Sequence, residues 1–298
     1  MKIEKLYPEC KDYVWGGRKL RDKYGKKTEC DPCAESWDLS FHKDGLTRLS
    51  SGETLKDSVT AAELGKKASA FDDFPLLIKF IDAKADLSVQ VHPSDEYALA
   101  NENSYGKTEM WYIVEAEEGA GIYLGFKENV TRDEVRAAIK EKRLVSLLNF
   151  FPVKEGEAYF IPSGTVHAIG KGTLIAEIQQ NSNLTYRVYD YGRRDKFGNE
   201  RELHVEKALA VMSFSKYEPT LFDDGILGKC EYFTAKRYTV RGVCEFFADE
   251  DSFNSVVCTK GEGEIDGIKL SAGDSFFIPA GYGKYNILGD CEIILTYV

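Results

Sequence analysis

Polar and apolar residues alternate with period two along several stretches of the chain, and each such stretch reads as a β-strand with one face turned to a core. In residues 74–91 two β-rich runs flank a polar turn at Asp82 to Asp86. Ser88, Gln90 and His92 share one face of the second run, with Val89 and Val91 on the other, and Pro93-Ser94-Asp95 ends that strand and caps a short helix. Residues 106–114 set Glu109, Trp111 and Ile113 on a common face, and Thr173–Gln180 sets Glu177 and Gln179 opposite Ile178. Glu35-Ser36-Trp37 alternates in the same way, with Trp37 and Trp15 read as core. Helical patterns are fewer. Residues 54–70 read as a polar helix closed near Gly65, and residues 131–150 as a helix opened by a Thr131/Glu134 capping box with Val135, Ala138 and Ile139 on its buried side. Residues 204–212 read as a third helix. The turn-rich, acidic stretch 215–229 separates a first domain, 1–215, from a second, 216–298, and the last 70 residues read as short β-runs split by glycines, as in a small barrel.

Residues 156–170, GEAYFIPSGTVHAIG, carry a strand into a tight Pro162-Ser163-Gly164 turn that delivers His167. Residues 273–286 repeat the spacing with Gly273, Pro279 and Gly281, but Lys284 stands where His167 stood. Gly-x5-Pro-x-Gly-x2-His resembles the second signature of the cupin superfamily, whose barrels hold a metal at the mouth. The repeat therefore implies a mainly β chain of two cupin-type barrels with a few peripheral helices. Only the first keeps a metal-ligating residue at this position, because a protonated ammonium has no lone pair to donate.

Composition narrows the function. With 39 basic against 49 acidic residues the formal charge is −10, which gives a nucleic acid or an anionic membrane no global attraction. Any anionic ligand needs a local cluster of Lys and Arg. No apolar run reaches the ~18 residues of a membrane span, and the first residues lack an apolar secretory core, so a cytoplasmic location is expected. The seven scattered cysteines suit reduced thiols, and Cys30-x-x-Cys33 has no second pair to complete a zinc site.

Of the four histidines, His92 and His167 fall at the two motif positions. Joined by the strand-borne Gln90 and Glu109, they form a ligand set that suits zinc and equally iron or manganese. Glu109 on an apolar face needs a cation or a metal as partner. Lys79, Lys84, Lys107, Arg187 and Arg193 lie near these residues in sequence, and a metal ringed by cations points to an anionic, oxygen-rich substrate such as a sugar phosphate.

Through WGG, ESWDLSFH, LSVQVHPSDEYA, GKTEMWYIVEA and YFIPSGTVHAIGKGTLIAEIQQNSNLTYRVYDYGR, the chain resembles the short bacterial form of the type I mannose-6-phosphate isomerases, in order and over most of its length. The resemblance implies one zinc ion per chain, bound by Gln90, His92, Glu109 and His167. It implies that Lys79, Lys107, Glu177 and Arg187 line the reacting end of the sugar, with Ser88 and Arg193 toward its phosphate. The implied reaction interconverts mannose 6-phosphate and fructose 6-phosphate through a cis-enediol, with Lys107 or Glu177 as the base, in a monomer or homodimer. The large helical insertion of longer members has no room here. A sugar-phosphate-binding cupin without turnover and a non-haem iron oxygenase are the competing readings, and the complete ligand set and the ring of cations speak against them.

Overall fold

The structure is a computed structural model and describes residues 2–194 and 198–298. Three antiparallel sheets carry the fold. The first has six strands in the order Glu9–Lys11, Glu35–Ser40, Leu76–Ala83, Thr173–Gln180, Glu109–Ala116 and Ala158–Ile161. The second has five, in the order Tyr186–Tyr189, Val89–Val91, His167–Ile169, Gly121–Phe126 and Leu148–Pro152. Alternation decides which side chains meet. Ile81, Trp111, Ile113, Ile161 and Ile175 of the six-stranded sheet share one buried cluster with Ile122, Leu124 and Ile169 of the five-stranded sheet, so the two sheets face each other as a barrel.

The outward residues of each sheet have separate partners. Val89, Val91 and Ala168 pack with Val135 and Ile139 of the helix Arg132–Lys140 and with Leu209 of the helix Val205–Val211. Ile78, Phe80, Met110 and Ile178 pack instead with Phe253 and with Val257, Phe277 and Ile294 of the third sheet. The six-stranded sheet is thus a wall shared by both units.

The third sheet has seven strands and departs from the expected short runs. Thr234–Ala248 and Gly283–Tyr297 are each 15 residues long and pair along their whole length. The Tyr238 and Phe246 rings nevertheless lie 5.1 Å apart, where a straight strand would separate them by about 26 Å. The strand therefore folds back on itself. Gly242 takes φ +81° at the fold and pairs with Gly289, where an added Cβ would lie 2.4 Å from the Glu262 carbonyl oxygen. The glycines bend continuous strands around a core of Val256, Ile265, Phe276 and Ile287 instead of splitting them. Lys284 lies on this sheet with its side chain 69% exposed, 2.9 Å from Glu245.

Two further expectations are revised. The capping box of Thr131 and Glu134 is present, but its helix stops at Lys140, Lys142 takes φ +57°, and Leu148–Pro152 is a strand. Residues 54–70 form two single-turn helices, Leu55–Ser58 and Ala61–Leu64, and a short 3₁₀ turn, with Val59 extended between the first two and Gly65 ending the second. The strand Glu4–Lys5 pairs with Ser275–Ile278, so the start of the chain belongs to the terminal sheet. Among the described residues no helix is long and apolar enough to cross a membrane. Cys30 and Cys33 are free thiols.

Candidate active site

Register places the site residues in two facing rows. In the six-stranded sheet Lys79 pairs with Glu177 and Glu177 with Trp111, while Glu109 lies one pleat away beside Gln179. In the five-stranded sheet Arg187 pairs with Gln90 and Gln90 with His167. His92 follows directly on its strand, where its carbonyl accepts the Gly164 N–H of the Pro-Ser-Gly turn at 2.8 Å. One turn thus positions both histidines.

The imidazoles meet at a tilt, with ring centroids 4.8 Å apart and planes at 43°. His92 Nδ1 lies 2.9 Å from the Leu184 carbonyl oxygen and His167 Nδ1 2.8 Å from that of Thr165. A carbonyl only accepts, so each Nδ1 carries its proton and each Nε2 presents a lone pair. These two lone pairs face each other across 3.2 Å. Glu109 Oε1 is 3.4 Å from His167 Nε2, and Oε2 is 3.7 Å from His92 Nε2. Both carboxylate oxygens are buried without a hydrogen-bond partner, although Lys107 Nζ approaches Oε2 at 2.6 Å as an ion pair without hydrogen-bond geometry. Burial drives His167 down to about 4, and burial with Lys107 nearby drives His92 well below its ordinary value, so both rings are neutral. Burial raises Glu109 to about 8 against the pull of Lys107. The Lys107 ammonium, 2.6 Å from Glu109 Oε2 and 3.4 Å from His92 Nε2, balances one side of this group, while Glu109 Oε1 and the Nε2 lone pair of His167 still converge 3.4 Å apart. The donor set therefore fits a metal ion, and it is the one such group of His, Cys, Asp or Glu side chains among the described residues.

Beside these ligands opens a cleft of about 260 Å³. Ser88, Gln90, Lys79, Lys107, Glu177 and Arg187 all line it. Glu177 accepts the Trp111 indole N–H at 2.9 Å and lies 3.1 Å from Lys79 and 3.7 Å from Lys107. Burial works to raise this carboxylate, but the two ammoniums outweigh it and hold Glu177 well below its ordinary value. Lys79 shows the converse, since burial is outweighed by Glu177 and Glu35 and its ammonium is held above the usual range. A larger hollow, about 670 Å³, lies in the terminal sheet among Tyr238, Phe246, Phe247 and Tyr297, and includes none of the clustered ligating side chains.

Comparison with known proteins shows the family of the chain. The family model for the catalytic domain of type I phosphomannose isomerase matches residues 3–120, and that for the mannose-6-phosphate isomerase cupin domain matches residues 225–298. A mannose-6-phosphate isomerase of Bacillus subtilis is 35% identical across 100% of both chains. The crystal structure of the mannose 6-phosphate isomerase from Bacillus subtilis superposes with a TM-score of 0.90, at 34% identity over 100% of both chains. The chain belongs to the type I mannose-6-phosphate isomerases. It is an isomerase with a cupin-type fold. A mannose 6-phosphate isomerase bound with zinc and yttrium, 19% identical, shares the fold at a TM-score of 0.79 over 100% of this chain and 99% of its own.

Two of the cations considered from sequence lie outside the cleft of this isomerase. Lys84 is exposed on the turn after its strand. Arg193 binds the Asp86 carbonyl oxygen at 2.5 Å, pairs with Asp190 and stacks over Tyr191. Among the further residues that line the cleft are Tyr13, Trp15, Glu35 and Arg201. Glu35 could have been found, since it shares the strand face of Trp37, whose indole N–H it accepts at 2.7 Å. Arg201 lies in a stretch without period, and nothing local marks it.

Proposed function

We propose that this isomerase interconverts mannose 6-phosphate and fructose 6-phosphate with one zinc ion per chain, moving a proton between C2 and C1 through a cis-enediol. One observation carries the reading: two Nε2 lone pairs 3.2 Å apart beside the buried Glu109, whose oxygens lack hydrogen bonds, next to a cleft walled by ammonium and guanidinium groups. His92, Glu109 and His167 would hold the ion, with the oxygen of the Gln90 amide, whose nitrogen lies 3.5 Å from His167 Nε2, as the fourth ligand. When bound, the ion supplies a Lewis acid for the sugar oxygens.

The chain's own groups do the rest. Arg187, steadied by Ser88 Oγ at 3.3 Å and the Glu202 carbonyl at 3.1 Å, turns its remaining N–H groups to negative charge developing on the sugar. Lys107 and Glu177, 3.7 Å apart, are the pair through which the carbon-bound proton passes. Lys79, between Glu177 and Glu35 at 3.1 and 3.6 Å, keeps that carboxylate in place. Ser88 lies on the substrate side of Arg187, and Arg193 stands one layer back on Asp190. In this reading residues 1–215 carry the chemistry and residues 216–298 a barrel without metal ligands. A phosphorylated hexose as substrate assigns the enzyme to carbohydrate metabolism in the cytoplasm.

The test is to strip the protein with a chelator, reload it with Zn²⁺, and follow mannose 6-phosphate conversion in a coupled assay alongside metal analysis. Turnover should vanish and return as the metal reaches one ion per chain. Full turnover by protein freed of metal would remove zinc from the mechanism, and no conversion of either hexose phosphate by the reloaded protein would remove the reaction.

A further inference from the structure

Lys107 stands outside any strand. The helix Asp95–Glu102 ends before it and the strand Glu109–Ala116 begins after it, so no sheet ladder fixes the backbone that carries this ammonium. Side chains from three other places do so instead. The Tyr105 carbonyl accepts Ser182 Oγ at 2.8 Å, the Gly106 N–H reaches Asp95 Oδ1 at 2.6 Å, and the Thr108 N–H reaches Gln180 Oε1 at 2.7 Å. The Lys107 N–H itself donates to the Pro93 carbonyl at 3.0 Å. Gly106 permits this close approach, since a Cβ there would lie 2.5 Å from the Asp95 nitrogen and 2.7 Å from the Pro93 carbonyl oxygen. Gln180 Nε2 also donates to Asp95 Oδ1 at 3.0 Å, which joins the two side chains into one clamp closing on both sides of Lys107.

The other oxygen of the clamp is held from the terminal unit. Asp95 Oδ2 accepts the Tyr232 hydroxyl at 2.5 Å. Tyr232 sits in the turn between the strands Ile226–Lys229 and Thr234–Ala248, which the Cys230 N–H closes on the Phe233 carbonyl at 2.9 Å. Phe233 is buried with Met110 and Phe160 in the core common to both units, and the Tyr232 ring lies 5.9 Å from that of Phe71. Docking of the units therefore sets where this hydroxyl stands.

We propose that Asp95, aimed by Tyr232 of the terminal unit, is the positioning residue for Lys107, so that both units build the active site. The inference rests on the reading that Lys107 passes the carbon-bound proton. A flexible four-carbon stem places its ammonium only as well as its Cα is placed. Lys107 Nζ has to stay 2.6 Å from Glu109 Oε2 and 3.7 Å from Glu177 Oε1. Packing alone does not hold the segment, because a cavity of about 120 Å³ lined by Asp95, Tyr105, Gln180 and Tyr232 lies against it. With the clamp released the backbone has room to shift, and misplacement of a reacting group by about 1 Å costs on the order of 100-fold in rate.

The experiment uses the zinc-loaded full chain and two readouts: amide hydrogen exchange of the segment around Lys107 by mass spectrometry, and steady-state kinetics with mannose 6-phosphate beside metal analysis. Asp95→Ala should speed exchange of the Gly106 and Thr108 amides by about tenfold or more. It should lower kcat by roughly 10- to 100-fold with KM within about threefold and metal content kept. Asp95→Asn should recover most of both losses, because its amide oxygen still accepts from Gly106 and its NH₂ meets the Tyr232 hydroxyl oxygen. Tyr232→Phe keeps the ring and removes only the hydroxyl; it should lower kcat by about two- to fivefold with faster exchange at Gly106, and it decides the matter if Asp95→Ala does not fold. Glu96→Gln, which removes an exposed charge from the same helical turn, should move neither readout. Exchange and kcat both unchanged in Tyr232→Phe, or a lower Tm with neither of them moved, overturns the proposal, as does a rise in KM alone. Full turnover by Lys107→Gln beside fast exchange in Asp95→Ala would defeat the proton route and leave the clamp standing.

Discussion

Lys26→Met should be among the most damaging single substitutions outside the cleft. Lys26 and Asp38 form an ion pair with side chains 5% and 1% exposed. The ammonium also donates to the Gly273 carbonyl at 2.5 Å, and Asp38 accepts from Ser36 Oγ at 2.7 Å and Ser275 Oγ at 2.9 Å. Residues 26 and 38 belong to the first unit and residues 273 and 275 to the terminal sheet, so this polar cluster fastens the two together across their apolar contact. Methionine fills much of the lysine stem's volume, so little cavity is added. The cost comes from Asp38, left charged and buried with two hydroxyls as its remaining partners, and amounts to about 3–5 kcal/mol. At 2–4 °C per kcal/mol that lowers Tm by roughly 6–20 °C. Lys26→Met with Asp38→Asn should recover more than half of the loss, because the amide no longer needs a counter-ion. Urea unfolding followed by circular dichroism, analysed as a double-mutant cycle, measures both terms. A single variant within 1 kcal/mol of the parent, or a double variant less stable than the single, would refute the reasoning.

Other expectations are simpler. Trp111→Phe removes the indole N–H from Glu177 and should lower kcat by about tenfold or more while metal content is kept, as read by kinetics with metal analysis. Lys284→His should leave metal stoichiometry and turnover unchanged, since the side chain is solvated and pairs with Glu245 outside any ligand group; a second equivalent of zinc would contradict this. Thr131→Ala opens the capping box and should cost about 1 kcal/mol in chemical denaturation with activity retained.

The alternation of Ser88, Gln90 and His92 against Val89 and Val91 is a local property of a strand, so sequence could assign those side chains to opposite faces, and the structure puts the valines in the helix-covered cluster. Glu109 on an otherwise apolar face was equally legible, because burying a carboxylate demands a partner. The helix over residues 131–150 ran too long because Leu144 and Leu148 keep up its apolar pattern and are buried in the same cluster as Val135, although the chain between has already turned at Lys142. The glycines of the last unit misled for a related reason. A glycine that ends a strand and one that bends it are alike in sequence, and only pairing such as Gly242 with Gly289 separates the two. Arg201 was beyond reach, since its aim comes from Asp190 and its placement from a strap of tertiary hydrogen bonds.

The pairing of Glu4–Lys5 with Phe276 and Phe277 bears on how the chain matures. On a ribosome, the strand Glu4–Lys5 emerges long before its partner, and until residues 276 and 277 are clear of the exit tunnel its edge is unpaired. The facing sheets of the first unit can assemble in the meantime, but one outer wall, Phe80 and Met110 included, stays open to water until the glycine-folded strands close over it. Nascent chains halted near residue 215 should therefore be sticky intermediates that call on chaperones, and emergence of the strands Thr234–Ala248 and Gly283–Tyr297 is the event that seals them.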